Sequence, residues 1–215
     1  MKRLCTSLVI LFLLFSTAGC SQEESISDWD ETYAITGTEK TQLWELKADD
    51  FLSSINSLVK SSDMELSYLK EYDPASSNCM LTKNGETWKI LLDIFSENEA
   101  GASWFKKNAN AEGWIGYIED VELSLYASDT KAAEENGYYL RYLISIFTPG
   151  AEEYVENALG IYDEPNQDTT VLDGVNQICI GNVRYSYVSG KSFMVEPWVE
   201  EWPAEESVPS VIRPQ

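Results

Sequence analysis

The sequence predicts an α+β domain, an antiparallel sheet with amphipathic helices packed on one face, in the order helix, strands, helix, strands. Three observations predict it. Ala48 to Ser61 is strongly one-sided at helical spacing, and an Asn84-Gly85 turn stands between two apolar runs. Seven Trp, twelve Tyr and seven Phe supply enough apolar area for a core, which a disordered chain lacks.

The elements follow in order. Residues 20–44 are polar and acidic, with Gln22-Glu23-Glu24 and Asp28-Trp29-Asp30-Glu31, and read as a tether. Whether Trp29 and Tyr33 dock back on the domain is left open by the sequence. In the first helix Phe51, Leu52, Ile55, Leu58 and Val59 share a stripe, Asp49 and Asp50 favour the positive end of the helix dipole, and Lys60 sits near the other end. Met64 to Leu69 alternates partially and begins the sheet. Cys79 to Thr82 and Trp88 to Phe95 flank Lys83-Asn84-Gly85-Glu86, a hairpin signal because both turn positions need positive φ. In the second of these strands Trp88, Ile90, Leu92 and Ile94 share one face, with Lys89 and Asp93 pointing away.

Glu97 to Lys107 reads as a short helix and Ala111 to Gly116 as a loop. Val121, Leu123 and Leu125 alternate with polar neighbours and form another strand. Ser128 or Asp129 caps a helix presenting Tyr139, Tyr142, Leu143, Ile146 and Phe147, although Gly137 weakens it by ~1 kcal/mol and leaves a strand reading of 138–147 open. Thr148-Pro149-Gly150 breaks the run, and a helix restarts over Ala151 to Leu159 with Gly160 as its stop. Ile178, Ile180, Val183, Tyr185 and Tyr187 lead into Ser189-Gly190, with Phe193, Met194 and Val195 returning. Residues 45–196 thus read as one domain. Residues 197–215 carry four prolines and several glutamates and read as a mobile tail, in which Trp198 and Trp202 would be a short docking motif if the tail makes contacts.

The chemistry-bearing residues are sparse. There is no histidine, which excludes Ser-His-Asp and Cys-His catalysis, histidine-ligated zinc and histidine switches. No Gly-x-Gly begins a nucleotide fingerprint. Cys79 and Cys179 lie too far apart in sequence for a zinc or redox motif. They are either two buried thiols or a disulfide across the sheet, which export would permit. The Asp163–Asp173 window lacks the glycine and the closing glutamate of a calcium loop, so it reads as a structural acidic loop. No metal and no cofactor is expected. Paired carboxylates remain available for acid–base hydrolysis, but 36 acidic residues make chance pairs common.

Met1 to Gly19 stands apart. Lys2 and Arg3 precede the apolar run Leu8 to Phe15, and Ser16-Thr17-Ala18-Gly19 leads to Cys20. This stretch resembles the lipobox-type signal peptide of bacterial lipoproteins, although Thr17 stands where that family favours Leu. The resemblance implies removal of residues 1–19, a diacylglyceryl group on Cys20 and anchoring at the outer side of the cell membrane. The apolar run falls short of the ~20 residues of a spanning helix. Ordinary secretion with cleavage after Ala18 is the alternative. Without Lys2 and Arg3 the remaining 196 residues hold 36 acidic and 13 basic residues, a formal charge of −23. Such a chain is repelled by nucleic acid and anionic headgroups.

The expected function is therefore a lipid-anchored, non-enzymatic binding or interaction domain, held to the membrane through Cys20 and facing an envelope protein partner. A carboxylate-based envelope hydrolase and a small-molecule or peptide sensor are the alternatives. Convergent acids in one deep cleft would favour the hydrolase, a shallow aromatic surface the binder, and an apolar pocket between helix and sheet the sensor.

Overall fold

The computed structural model describes residue 29 and residues 32–62, 78–81, 89–105, 108–162 and 175–200. The α+β class holds. Among the described residues eight strands pair, all antiparallel: β1 Ile35–Thr38, β2 Thr41–Lys47, β3 Asn78–Leu81, β4 Ile90–Ile94, β5 Tyr117–Ser124, β6 Asn176–Ile180, β7 Val183–Val188 and β8 Ser192–Pro197. Between them run α1 Ala48–Ser61, α2 Glu97–Ala100, a 3-10 turn Ala111–Trp114, α3 Thr130–Phe147 and α4 Glu152–Leu159.

The helices form where the spacing puts them. α1 buries Phe51, Leu52, Ile55 and Val59 along one stripe. Asp129 caps α3 by accepting the Ala132 N–H at 2.8 Å, so residues 138–147 are helix and the strand reading is set aside. Gly160, at φ 63°, closes α4 in the left-handed region. α1, α3 and α4 pack on the inner face of the sheet in one core, where Trp44, Phe51, Tyr139, Phe147, Tyr185 and Phe193 are fully buried. Fully burying each such side chain contributes roughly 1.5–3 kcal/mol. Cross-strand rows make that inner face: Leu92, Val121, Val195 and Tyr185 lie side by side from β4 to β7.

The expected tether is a correction. Residues 35–47 form the β1–β2 hairpin, and Ile35, Leu43 and Trp44 are wholly buried. Neighbours Leu43 and Trp44 point to opposite faces and both are covered, so the half-buried alternation of a surface strand never shows in the sequence. Trp44 joins the main core. Leu43 joins a smaller cluster with Phe95, Phe105, Ala111 and Trp114, which seats α2 and the 3-10 turn against the other face. Lys47 fastens this excursion, donating to the carbonyls of Gly113 and Ile115 while lying 4.4 Å from the Tyr117 ring centre. The hairpin also needs Gly37: its φ is 108°, and a Cβ there would meet the Thr41 carbonyl oxygen at 2.1 Å.

Two further boundaries move. Gly181 and Asn182 divide the run 178–187 into β6 and β7. β8 extends through the buried Pro197, paired with Val183, and Val199 packs on the core, so the tail does not begin at 197. The expected strand Met64–Leu69, the turn Asn84-Gly85 and the acidic loop 163–173 lie outside the described residues.

α3 and α4 are clipped together by Arg141, whose Nε and Nη2 donate to Glu156 at 2.6 and 2.7 Å, with the Tyr162 hydroxyl adding a third donor at 3.1 Å. Glu156 is 2% exposed. Replacing Arg141 with Ala strands that buried carboxylate and is expected to cost about 2–3 kcal/mol, less than for a wholly buried pair because Arg141 is half-exposed. Urea unfolding measures this. A loss below about 0.5 kcal/mol, the range of an ordinary surface pair, would show that the clip contributes nothing.

Candidate functional site

The other face of the sheet carries a polar row. Asp93 on β4 is the direct partner of Asp120 on β5. Asp120 and Glu196 are the next residues along from the paired Val121 and Val195. Glu196 is opposite Arg184 on β7, and Arg184 is opposite Cys179 on β6. Three acids therefore stand side by side, an arrangement that repels when all are ionised. Arg184 relieves one end, donating from Nε and Nη2 to Glu196 at 3.0 and 2.9 Å.

A β-bulge adds a fourth acid. Asp93 pairs with Asp120 and Ile94 with Ile118, so Glu119 is an extra residue on β5. Here the other flank of β5 also changes hands. β2 pairs with Tyr117 and Ile118, and β8 takes over at Val121. Glu119 and Asp120 fall in the gap between them, at the floor of an open notch of about 280 Å³. Glu39, Lys40, Thr41 and Gln42 of the first hairpin form one wall, so the notch holds two cations, Lys40 and Arg184, against four acids, with Arg184, Glu196 and Trp198 on the β7–β8 side.

The electrostatics of the notch follow from this crowding. Burial pushes the Glu119 carboxyl up to about 8, helped by the charges of Glu99, Asp93 and Asp120 and by a hydrogen bond to Glu99. Burial likewise pushes Asp120 up to about 7, with Asp93, Glu196 and Glu122 adding to it. Asp93 is raised by burial and then by Glu99. Glu99 is held in place by its capping box, accepting from Ser96 N–H at 2.8 Å and Ser96 Oγ at 3.0 Å. It accepts from Glu119 only when Glu119 carries a proton. Gln42 and Glu119 are among the residues lining the notch, and the Oε1 atom of each is closed off from solvent without a donor. The notch is thus an acceptor-rich recess suited to a hydrogen-bond donor carrying positive charge. Among the described residues no three carboxylate or thiolate groups are placed to hold a metal ion.

Of the residues singled out from sequence, Trp198 is in the notch. Its backbone N–H donates to the Asn182 carbonyl at 2.8 Å and its ring lies 4.8 Å from the Arg184 guanidinium, so it belongs to the domain and not to a mobile tail. Cys20 and Trp202 lie outside the described residues. The disulfide expectation is a correction. Cys179 is a free thiol. Cys79 is on β3 and Cys179 on β6, with β4, β5, β8 and β7 between them. Five strand spacings of ~4.8 Å separate backbones that a bridge needs within ~7 Å.

Sequence reasoning missed Glu119, Asp120, Arg184 and Glu196. A signal for the first two exists: Ile118-Glu119-Asp120-Val121 puts two polar residues between inward-facing ones, one too many for period two. Among the described residues no helix is long and apolar enough to cross a membrane. Compared with protein-family models, with curated proteins and with solved structures, the chain matches none.

Proposed function

We propose that this chain is a bacterial lipoprotein, acylated on Cys20 and held at the outer side of the cell membrane, whose domain binds a cationic group of an envelope partner in the notch. The observation that carries the binding role is the strand pairing that sets Asp93, Asp120 and Glu196 side by side, with Glu119 added by the bulge, at an open notch. A Lys or Arg side chain entering there supplies N–H donors and neutralises the repulsion. The lipid raises the local concentration of the domain near its partner. The anchor is supported by the layout of residues 1–20 and is tested by Cys20→Ala, which is expected to release the protein from the membrane or stall its processing.

Calorimetric titration of residues 21–215 with a tetralysine peptide tests the notch. Saturable binding is expected, tighter at pH 8.5 than at pH 6, because Glu119 and Asp120 must give up protons to meet the cation. Proton release at pH 7 shows as a dependence of the heat on the buffer. Asp120→Asn is expected to weaken binding at least ~10-fold, the equivalent of one charge-assisted hydrogen bond. Binding that is equal in the variant would remove the notch from the reading.

A second reading has one observation in its favour. Glu119 and Asp120, neighbours in sequence with carboxyls pushed up to about 8 and about 7, pair a group that keeps its proton near neutral pH with one that gives it up more readily, the two roles that glycoside cleavage asks of its carboxyls. Release of soluble sugar from envelope glycan, abolished by both Glu119→Gln and Asp120→Asn, would put the hydrolase in place of the binder.

A further inference from the structure

Trp29 and its neighbours fix where the chain enters the domain. The Trp29 ring packs on Tyr154 of α4 with centroids 4.6 Å apart. Thr32 Oγ1 donates to the carbonyl of Phe147, the last residue of α3, at 3.0 Å, and Asn182 Nδ2 donates to the carbonyl of Tyr33 at 2.7 Å. Asn182 is 4% exposed. Its own backbone carbonyl accepts from Trp198, so one buried residue holds both the entering chain at Tyr33 and the departing chain at Trp198. Entry, exit and notch therefore share one end of the domain. α3 runs away from that end: sixteen residues separate Phe147 from Lys131, about 24 Å at the helical rise.

The pinning also shortens the leash. A tether reaching to residue 44 spans up to roughly 90 Å, whereas a domain pinned at Trp29 leaves eight residues, 21–28, after Cys20. In any conformation the nine steps from Cys20 to Trp29 cover at most ~3.6 Å each, roughly 32 Å together. Resting on the lipoprotein reading above, we infer that the acylated protein holds its Trp29–Trp198 end toward the membrane, within roughly 30 Å of the lipid, and that the cationic group entering the notch belongs to a membrane-resident protein and not to distant cell-wall material. The charge of the domain supports standing off the lipid over lying on it, since an acidic surface is repelled by anionic headgroups. The notch then faces the short gap between the domain and the bilayer, where a juxtamembrane Lys or Arg segment is presented.

Energy transfer to lipid tests this. The acylated full-length protein, with Cys79 and Cys179 replaced by Ser, carries one donor dye at Glu200→Cys beside the notch or at Lys131→Cys on the far end of α3. Both positions are exposed. The proteins are reconstituted in phosphatidylcholine vesicles containing an acceptor-labelled lipid. Transfer from position 200 is expected to exceed that from position 131 at least twofold, and twenty Gly/Ser residues inserted between Ile26 and Ser27 are expected to abolish the difference. Equal transfer from both positions, in protein that floats with the vesicles, would overturn the orientation and leave the anchor standing. Protein that fails to float would overturn the lipoprotein reading and the orientation with it.

Discussion

A chain that begins at Glu45 will fail to fold, whereas one that begins at Ser27 will unfold cooperatively at the same urea midpoint as residues 21–215. The shorter chain lacks β1 and half of β2, and with them Ile35, Leu43 and Trp44, each fully buried. Trp44 is the heaviest loss. Its ring lies 4.2 Å from that of Phe147 in the main core, and its strand pairs with β5 at Ile118. Truncating one such Trp to Ala costs about 3–5 kcal/mol, against a total of ~5–15 kcal/mol for a domain. Loss of the whole hairpin removes Leu43 from the second cluster as well, so α2 and the 3-10 turn lose their seat. Circular dichroism and urea titration distinguish the outcomes. A native-like transition from the chain beginning at Glu45 would show that the hairpin is peripheral. Trp44→Ala in the full chain should fall between the two, with the midpoint lowered and the slope kept.

The second large effect is on pH. Glu119 and Asp120 titrate at about 8 and about 7 in the folded protein, against ~4.3 and ~3.9 unfolded. Between those limits the folded state binds more protons than the unfolded one, so stability falls as pH rises. The loss begins above the unfolded values and is complete once the pH passes the folded ones. Much of it lies between pH 6 and pH 9, where ordinary carboxylates no longer titrate. Allowing for residual exposure and for mutual coupling in the cluster, the decrease is on the order of 2 kcal/mol, a melting midpoint lower by roughly 4–8 °C at pH 9 than at pH 6. Glu119→Gln with Asp120→Asn should flatten that dependence and raise the midpoint at pH 9, because each amide stays neutral and the one at position 119 still donates to Glu99. A midpoint that falls as steeply in the double variant would place the pH dependence elsewhere.

The bulge at Glu119 and the handover from β2 to β8 leave two acids facing a recess whose walls already hold Arg184 against Glu196. The same end of the domain is tied by Asn182 to the chain that leads back to Cys20.

What the sequence determined was local. Phe51, Leu52, Ile55 and Val59 recur at helical spacing, Asp129 offers a cap, Gly160 a stop, and Ile90, Leu92 and Ile94 a period of two; each signal lies within a few residues, and each element formed where it pointed. The α+β class follows from their sum. The layout of Met1 to Cys20 is local in the same sense, and the proposed anchor rests on those twenty residues alone. Only the tertiary structure decided the rest, because the deciding contacts join residues far apart in the chain. The β1–β2 hairpin is mostly polar by composition and becomes core when β5 and α3 close over Trp44. Cys79 and Cys179 were equally free to bridge until the strand order set β3 and β6 apart. Glu119 and Asp120 were two acids among 36 until strand pairing set Asp93 and Glu196 on either side of Asp120, with Glu99 against Glu119 and little water left to separate their charges.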